Sequence, residues 1–241
     1  NLFADFGEMN LVEPEFPQCE NWTKLNQLKK EKDVVGIYIS GHPLDDYIDS
    51  VKFFSNIKLN DLKNLNPLVD KEVRIAGIIG EVEHKISKNG KGWATFVLED
   101  YYESYELRIF GEDYLKFKHF LIENNFVCLK MFVKEGWKDR ESGRVGDPRI
   151  QYLSFQQLQD SLSNIAKRIL IKVDANLLEE THIKFFKDIL KKHKGDQDVI
   201  FNVLGNGDGL RLNLSSPKQK VKITEQLLKT LKQNKFEFRL N

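Results

Sequence analysis

The apolar positions of the chain fall into three stretches that repeat with different periods. In the first, about residues 1–70, they are sparse. A Pro-containing stretch, Glu13-Pro14-Glu15-Phe16-Pro17, gives way at Thr23 to a helical pattern in which Leu25, Leu28 and Lys32 step toward Val35. Tyr47, Ile48 and Val51 predict a second helix starting near Pro43, with Asp45 and Asp46 in a first turn whose dipole favours acidic groups.

The second stretch, residues 71–158, alternates in twos. Strands are predicted over 73–79, 93–98, 105–110, 126–133 and 150–155, rich in β-branched and aromatic residues. Asn89-Gly90 predicts a tight hairpin, since both residues accept positive φ. Between the third and fourth strands, Tyr114, Leu115, Phe117, Leu121 and Ile122 have helical spacing. Three strands, a helix and two strands is the order of an OB fold, a five-stranded Greek-key barrel.

The third stretch, residues 165–241, reads β-α-β-β-α-β. Strands are predicted at 168–173, 199–204, 210–214 and 236–240. The hairpin turns at Gly205-Asn206-Gly207-Asp208-Gly209. One helical stripe is Ile183, Phe186, Ile189 and Leu190, ended by Gly195; the other is Ile223, Leu227, Leu228 and Leu231. That order predicts a ferredoxin-like split βαβ sandwich. The fold class expected is α+β multidomain: an OB barrel between an N-terminal helical or irregular segment and a small C-terminal βαββαβ domain.

Charge divides the stretches further. The net charge of +1 conceals a gradient: residues 1–70 carry 7 Lys/Arg against 12 Asp/Glu, residues 71–164 carry 14 against 15, and residues 165–241 carry 16 against 9. A wholly basic nucleic-acid binder is excluded, so any such contact comes from local patches. No apolar run approaches a membrane span, nothing resembles a signal peptide, and the two cysteines, Cys19 and Cys128, cannot form a disulfide framework or a zinc site. A reducing, cytoplasmic setting is expected. A start at Asn1 rather than Met is expected of a piece of a longer protein.

Catalytic patterns do not emerge. The five histidines form no metal-ligand pair, no phosphate-binding GxxxxGK[ST] loop occurs, and the glycine-rich 205–209 segment lacks a following helix. Glu99-Asp100 and Asp45-Asp46 suit a strand end and a helix start better than a metal site. No catalytic residue, cofactor or metal is expected in this chain.

Binding chemistry is easier to find. With Ala94, Phe96 and Leu98 facing the core, Trp93 stands on the opposite face of its strand, where an aromatic ring beside cations suits stacked bases. The first loop supplies Lys85, Lys88 and Lys91 with no acidic residue between them. The loop between the last two strands supplies Lys134, Trp137, Lys138, Arg140, Arg144 and Arg149, diluted by four carboxylates, and Arg108 and Phe110 complete the face. The bland alternative is that the loops are simply solvated and that Trp137 packs on a neighbouring domain.

Glu31-Lys32 followed by Gly36-Ile37-Tyr38-Ile39-Ser40-Gly41-His42-Pro43-Leu44-Asp45-Asp46-Tyr47 closely resembles the stretch preceding the OB domain of bacterial DNA polymerase III alpha subunits. Ile75-Ala76-Gly77, Lys85, Ser87-Lys88, Gly90-Lys91, Leu98-Glu99-Asp100, Ile109-Phe110 and Tyr114 extend the resemblance over residues 31–155. Glu103 departs from it, standing where the family often has a turn glycine. The resemblance implies a fragment of a replicative, Mg²⁺-using DNA-directed DNA polymerase whose palm aspartates lie upstream. It implies that residues 1–70 end the clamp-binding and fingers region, that 71–158 hold single-stranded template, and that 165–241 dock the clamp-loader tau subunit. It also implies that Leu2-Phe3 ends a sliding-clamp-binding peptide. Two alternatives stay open: a stand-alone OB-fold single-stranded-DNA-binding protein, and the tRNA-binding OB domain of an aminoacyl-tRNA synthetase.

Overall fold

A computed structural model describes residues 19–138, 145–205 and 211–241. The chain divides into two compact units, Asn1–His42 and Pro43–Asn241.

In the first unit, α1 (Lys24–Val35) starts where the Thr23 hydroxyl oxygen accepts the Asn26 N–H at 3.3 Å. After α1 the chain folds back, and the Glu31 carboxylate accepts N–H bonds from Ile39 (3.2 Å) and Ser40 (2.9 Å) and the Ser40 hydroxyl (2.7 Å). These bonds, the Ser40 N–H first, hold the Glu31 carboxyl below its ordinary range. The conformation of the 36–42 segment is thereby tied to one acidic side chain.

The second unit opens with a 3₁₀ turn, Pro43–Tyr47, leading into α2 (Ile48–Phe54). There follow β1 (Glu72–Ile86), β2 (Gly92–Glu99), β3 (Ser104–Phe110), α3 (Gly111–Phe117), β4 (Phe126–Lys134) and β5 (Arg149–Gln157). These strands form an antiparallel sheet in the order β3-β2-β1-β4-β5. The period of two is visible in β2, where Ala94, Phe96 and Leu98 are buried while Trp93, Thr95 and Val97 are only partly so. Phe117 and Leu121, from α3 and the turn after it, join the same core.

This sheet is not the closed barrel expected. β3 pairs only with β2 and β5 only with β4, so both remain edges. Side chains span the gap where a ladder would run: the buried Tyr152 hydroxyl of β5 donates to the Arg108 carbonyl of β3 at 3.0 Å. Phe155 and Phe117 stack behind it with centroids 4.6 Å apart. Closure depends on strand tilt and stagger, which alternation along single strands does not encode.

The turns also differ from expectation. The β1–β2 hairpin takes residues 87–91, with the Gly90 N–H donating to the Ser87 carbonyl at 2.9 Å. Gly90 alone adopts positive φ there (72°), while Asn89 does not. At the β2–β3 turn the Asp100 carboxylate accepts the Tyr102 and Glu103 N–H groups at 2.8 and 2.9 Å, and the Glu103 side chain pairs with Lys63. The Asp100 bonds hold that turn without a glycine.

A helix not anticipated from sequence, α4 (Leu158–Ile165), leads to β6 (Arg168–Asp174), α5 (Glu180–Lys192), β7 (Lys194–Leu204), β8 (Arg211–Ser215), α6 (Glu225–Gln233) and β9 (Phe238–Leu240). Their sheet runs β8-β7-β6-β9, with β6 and β7 adjacent and parallel. A ferredoxin-like split βαβ would insert a strand between those two, so that expectation is also corrected. The polar β8, Arg211-Leu212-Asn213-Leu214-Ser215, is exposed along its length and takes an edge, leaving the more apolar β7 inside. Gly195 does not end α5 but lies in β7, pressed against the Lys222 backbone; a Cβ there would stand 2.3 Å from the Lys222 nitrogen.

α2 joins two clusters: Phe54 lies with Leu44, Ala76, Cys128 and Leu158 in a cluster separate from the main first-sheet core, and Phe53 packs against the second-sheet core. Its polar side meets α6. The Ser50 N–H donates to Glu225 at 2.5 Å, Lys229 pairs with Asp46 at 2.8 Å, and Lys232 pairs with Asp49 at 2.6 Å. Among the described residues no helix is long and apolar enough to cross a membrane.

Candidate nucleic-acid interface

The outward face of β1, β2 and β3 carries two cross-strand rows. Lys85, Trp93 and Phe110 stand opposite one another on the three strands, and Glu83, Thr95 and Arg108 form the adjoining row. Directly opposed residues share a face and touch. The Trp93 and Phe110 rings accordingly stack at 5.3 Å between centroids and 19° between planes. The Lys85 ammonium sits 5.3 Å from the Trp93 ring centre. Phe110 remains 56% exposed, so the pair presents aromatic surface to solvent.

The face is less positive than its basic residues alone suggest. Lys85 pairs with Glu83 at 2.5 Å, and the Arg108 guanidinium pairs with Glu106 at 2.9 Å. The Lys85 hydrogen bond and charge hold the Glu83 carboxyl below its ordinary range. Within the hairpin loop one residue beyond the Lys85–Trp93 row, Lys88 and Lys91 are exposed. The Ser87 hydroxyl oxygen fixes that loop by accepting the Lys91 N–H at 3.1 Å.

The second cationic group projects from the opposite end of β1. Lys134 pairs with Arg149 at the end of β4, two residues beyond Phe132, the partner of Glu72. Trp137 is 74% exposed, with the Arg149 guanidinium 4.4 Å from its ring centre. The Tyr152–Arg108 bond ties β5, which begins at Arg149, to β3. Arg140, Arg144, Leu2 and Phe3 lie outside the described residues.

Sequence reasoning passed over the neutralising partners Glu83 and Glu106, although each sits two residues from its cation on one strand face, a spacing readable in advance. The contact between Arg149, the first residue of β5, and Trp137 was not readable, because Trp137 lies in a segment with no period. Such a surface can stack bases on Trp93 and Phe110 and bind phosphates through lysines, which is the chemistry of single-strand recognition. No group of three or more His, Cys, Asp or Glu that could hold a metal ion occurs among the described residues.

Comparison with known proteins gives a consistent set of relatives. A family model described as the DNA polymerase III alpha subunit, C-terminal domain, matches residues 169–241. The DNA polymerase III subunit alpha of Saccharopolyspora erythraea is 27% identical over 198 residues, covering 82% of this chain and 16% of that protein. Its counterparts from Pseudomonas aeruginosa and Borreliella burgdorferi are 26% and 27% identical, covering 79% and 77% of this chain and 16% of each relative. The chain thus spans only 16% of the length of these curated relatives. Among solved structures, an aspartyl-tRNA synthetase from Leishmania major Friedlin aligns with 44% of this chain and 21% of its own at 18% identity and a TM-score of 0.29. RecG bound to a three-way DNA junction aligns with 60% and 20% at 22% identity and a TM-score of 0.26. Neither structural likeness bears on function.

Proposed function

The chain has a family-level match, over part of its length, to the DNA polymerase III alpha subunit, and on that premise we propose that it is a C-terminal, non-catalytic binding region of a replicative DNA polymerase. Its first sheet holds single-stranded template. The observation that carries this reading is the stacked Trp93–Phe110 pair with Lys85 beside it, on an exposed face next to the Lys88–Lys91 loop. Aromatic surface receives bases whatever their sequence, and the lysines follow the backbone, as a template contact requires.

The remaining roles are proposed from the resemblance to that family. The whole subunit is a DNA-directed DNA polymerase acting with Mg²⁺ in the cytoplasm, and its catalytic carboxylates belong to another part of the protein. Residues 165–241 dock the clamp-loader tau subunit, and Leu2-Phe3 closes a peptide that enters the sliding clamp. A chain extended upstream is expected to bind the clamp and to lose binding on Leu2→Ala with Phe3→Ala.

The template reading is tested by replacing Lys88, Lys91 and Trp93 together with alanine and titrating single-stranded DNA and tRNA. Selective loss of single-stranded DNA binding supports it. Affinity and salt dependence left unchanged refute it. Preference for tRNA in the parent chain would favour the aminoacyl-tRNA synthetase alternative.

A further inference from the structure

Among the described residues, the apolar side of the second sheet is covered mainly by α5 and α6, with Leu162 of α4 and Phe53 of α2 joining the same core. α5 contributes Phe186, Ile189 and Leu190 and α6 contributes Leu227, Leu228 and Leu231 to the core against β6. β8 has no such cover. Leu212 and Leu214 pair with Val203 and Phe201, whose neighbours on β6, Val173 and Ile171, are buried. The two leucines therefore continue the core side of the sheet, yet are 46% and 54% exposed.

The gap beside α5 is a groove of about 260 Å³, walled by Leu178, Ile183, Leu190, Phe201, Val203 and Leu214, with Lys187 on its rim. It is narrower than the roughly 300–1,000 Å³ of a small-molecule pocket and suits a row of side chains from another element. An exposed apolar strip rimmed by charge marks an interaction surface. The segments that wall it, 180–192 and 211–222, carry eight Lys/Arg against two Asp/Glu. A second copy of this basic region would be repelled, whereas acidic flanks on a partner would be attracted.

We infer that this groove receives an amphipathic helix of another protein, apolar on the buried side and flanked by Asp and Glu, laid between α5 and β8. This rests on the reading of residues 165–241 as a docking region. The helix-in-groove mode takes apolar anchors at i, i+3, i+4 and i+7, spaced to fit between α5 and β8.

The test uses the 241-residue chain and a fluorescein-labelled designed helix of about 18 residues with leucines at that spacing and glutamates beside them, together with a lysine-for-glutamate counterpart. The acidic helix should bind saturably, and the lysine helix at least about tenfold more weakly. Leu214→Asp and, separately, Ile183→Asp should each weaken the acidic helix about tenfold with unchanged circular dichroism; the two positions are 54% and 43% exposed, so the fold should tolerate them. Lys187→Glu should weaken it by a smaller factor. Absence of saturable binding, equal binding of the two helices, or indifference to both aspartate variants overturns the inference. So does a chain that sediments as a dimer abolished by Leu214→Asp. Co-purification with tau tests the parent reading separately: tau retained equally by wild type and Leu214→Asp keeps the docking region and removes the groove from it.

Discussion

Trp93 and Phe110 stand opposite one another on neighbouring antiparallel strands, with their rings stacked 5.3 Å apart and the Phe110 ring more than half exposed. Two large aromatics on the solvent side of a sheet satisfy no core, and the buried side of the same strands is already filled by Ala94, Phe96, Leu107 and Ile109. Substitution of either ring should therefore leave stability nearly unchanged, within about 1 kcal/mol, the size of a cross-strand pair. Phe96→Ala, by contrast, should cost about 3–5 kcal/mol in urea unfolding. Equal losses at the two kinds of site would mean that the outer pair is structural.

Glu225 gives the α2–α6 contact an unusual pH response. Burial, its largest influence, raises its carboxyl above the ordinary value, opposed by the Ser50 hydrogen bonds and Lys229 and aided by Asp49. The folded protein therefore holds this proton more tightly than the unfolded chain, so its contribution is fully present below the unfolded carboxyl value of about 4.5. That contribution is lost as pH rises through the higher folded value. Glu225→Gln keeps an acceptor for the Ser50 N–H and removes the buried charge. The variant should melt above wild type at neutral pH, with the difference shrinking as pH falls toward 4. A difference that grows on acidification would contradict this account.

The two thiols should react very differently. Cys128 is fully buried on β4, and burial pushes its thiol up to about 12, so little thiolate forms at neutral pH; Cys19 is exposed. A disulfide reagent such as Ellman's should label one thiol per native chain quickly and the second only after unfolding. Rapid native labelling of both would show that the packing around α2 and α4 opens readily.

Gly195→Ala probes the close approach of the β7 start to the Lys222 backbone. A Cβ would meet the Lys222 backbone at 2.3 Å, and neither backbone can yield without loosening the Lys222 N–H bond to His193. The expected destabilisation is about 1–3 kcal/mol in urea unfolding, the cost of forcing atoms into a packed site. A neutral effect would mean that the β7 start is loose.

The reach of the sequence follows from where its information is local. Alternation at Ala94, Phe96 and Leu98 set the buried face of β2, and by parity the outward position of Trp93, because side chains on a strand repeat every two residues. The helical stripes were legible in part: Phe186, Ile189 and Leu190 of α5 and Leu227, Leu228 and Leu231 of α6 are buried, whereas Ile183 is exposed and the buried Ile223 lies before α6. Strand order was not: whether β3 meets β5, or which of β7 and β8 lies beside β6, depends on pairings between distant segments that alternation within one strand does not encode. Gly195 misled because a glycine after an apolar helical stripe is the usual C-cap signal, while here it serves a close backbone approach. At the candidate interface the residue types were readable, but the Lys85–Trp93–Phe110 row exists only once the register of three strands is known.

The most direct test of the template reading is the anisotropy of a labelled oligo-dT of about 12 nucleotides, titrated between roughly 50 and 200 mM salt. Trp93→Ala and Phe110→Ala should each weaken binding by about fivefold or more, corresponding to roughly 1 kcal/mol of stacking, without changing the slope of log affinity against log salt. Lys85→Ala, Lys88→Ala and Lys91→Ala should each reduce that slope by about 0.7. Affinity and slope unmoved by all five substitutions would contradict the claim that this face holds single-stranded DNA.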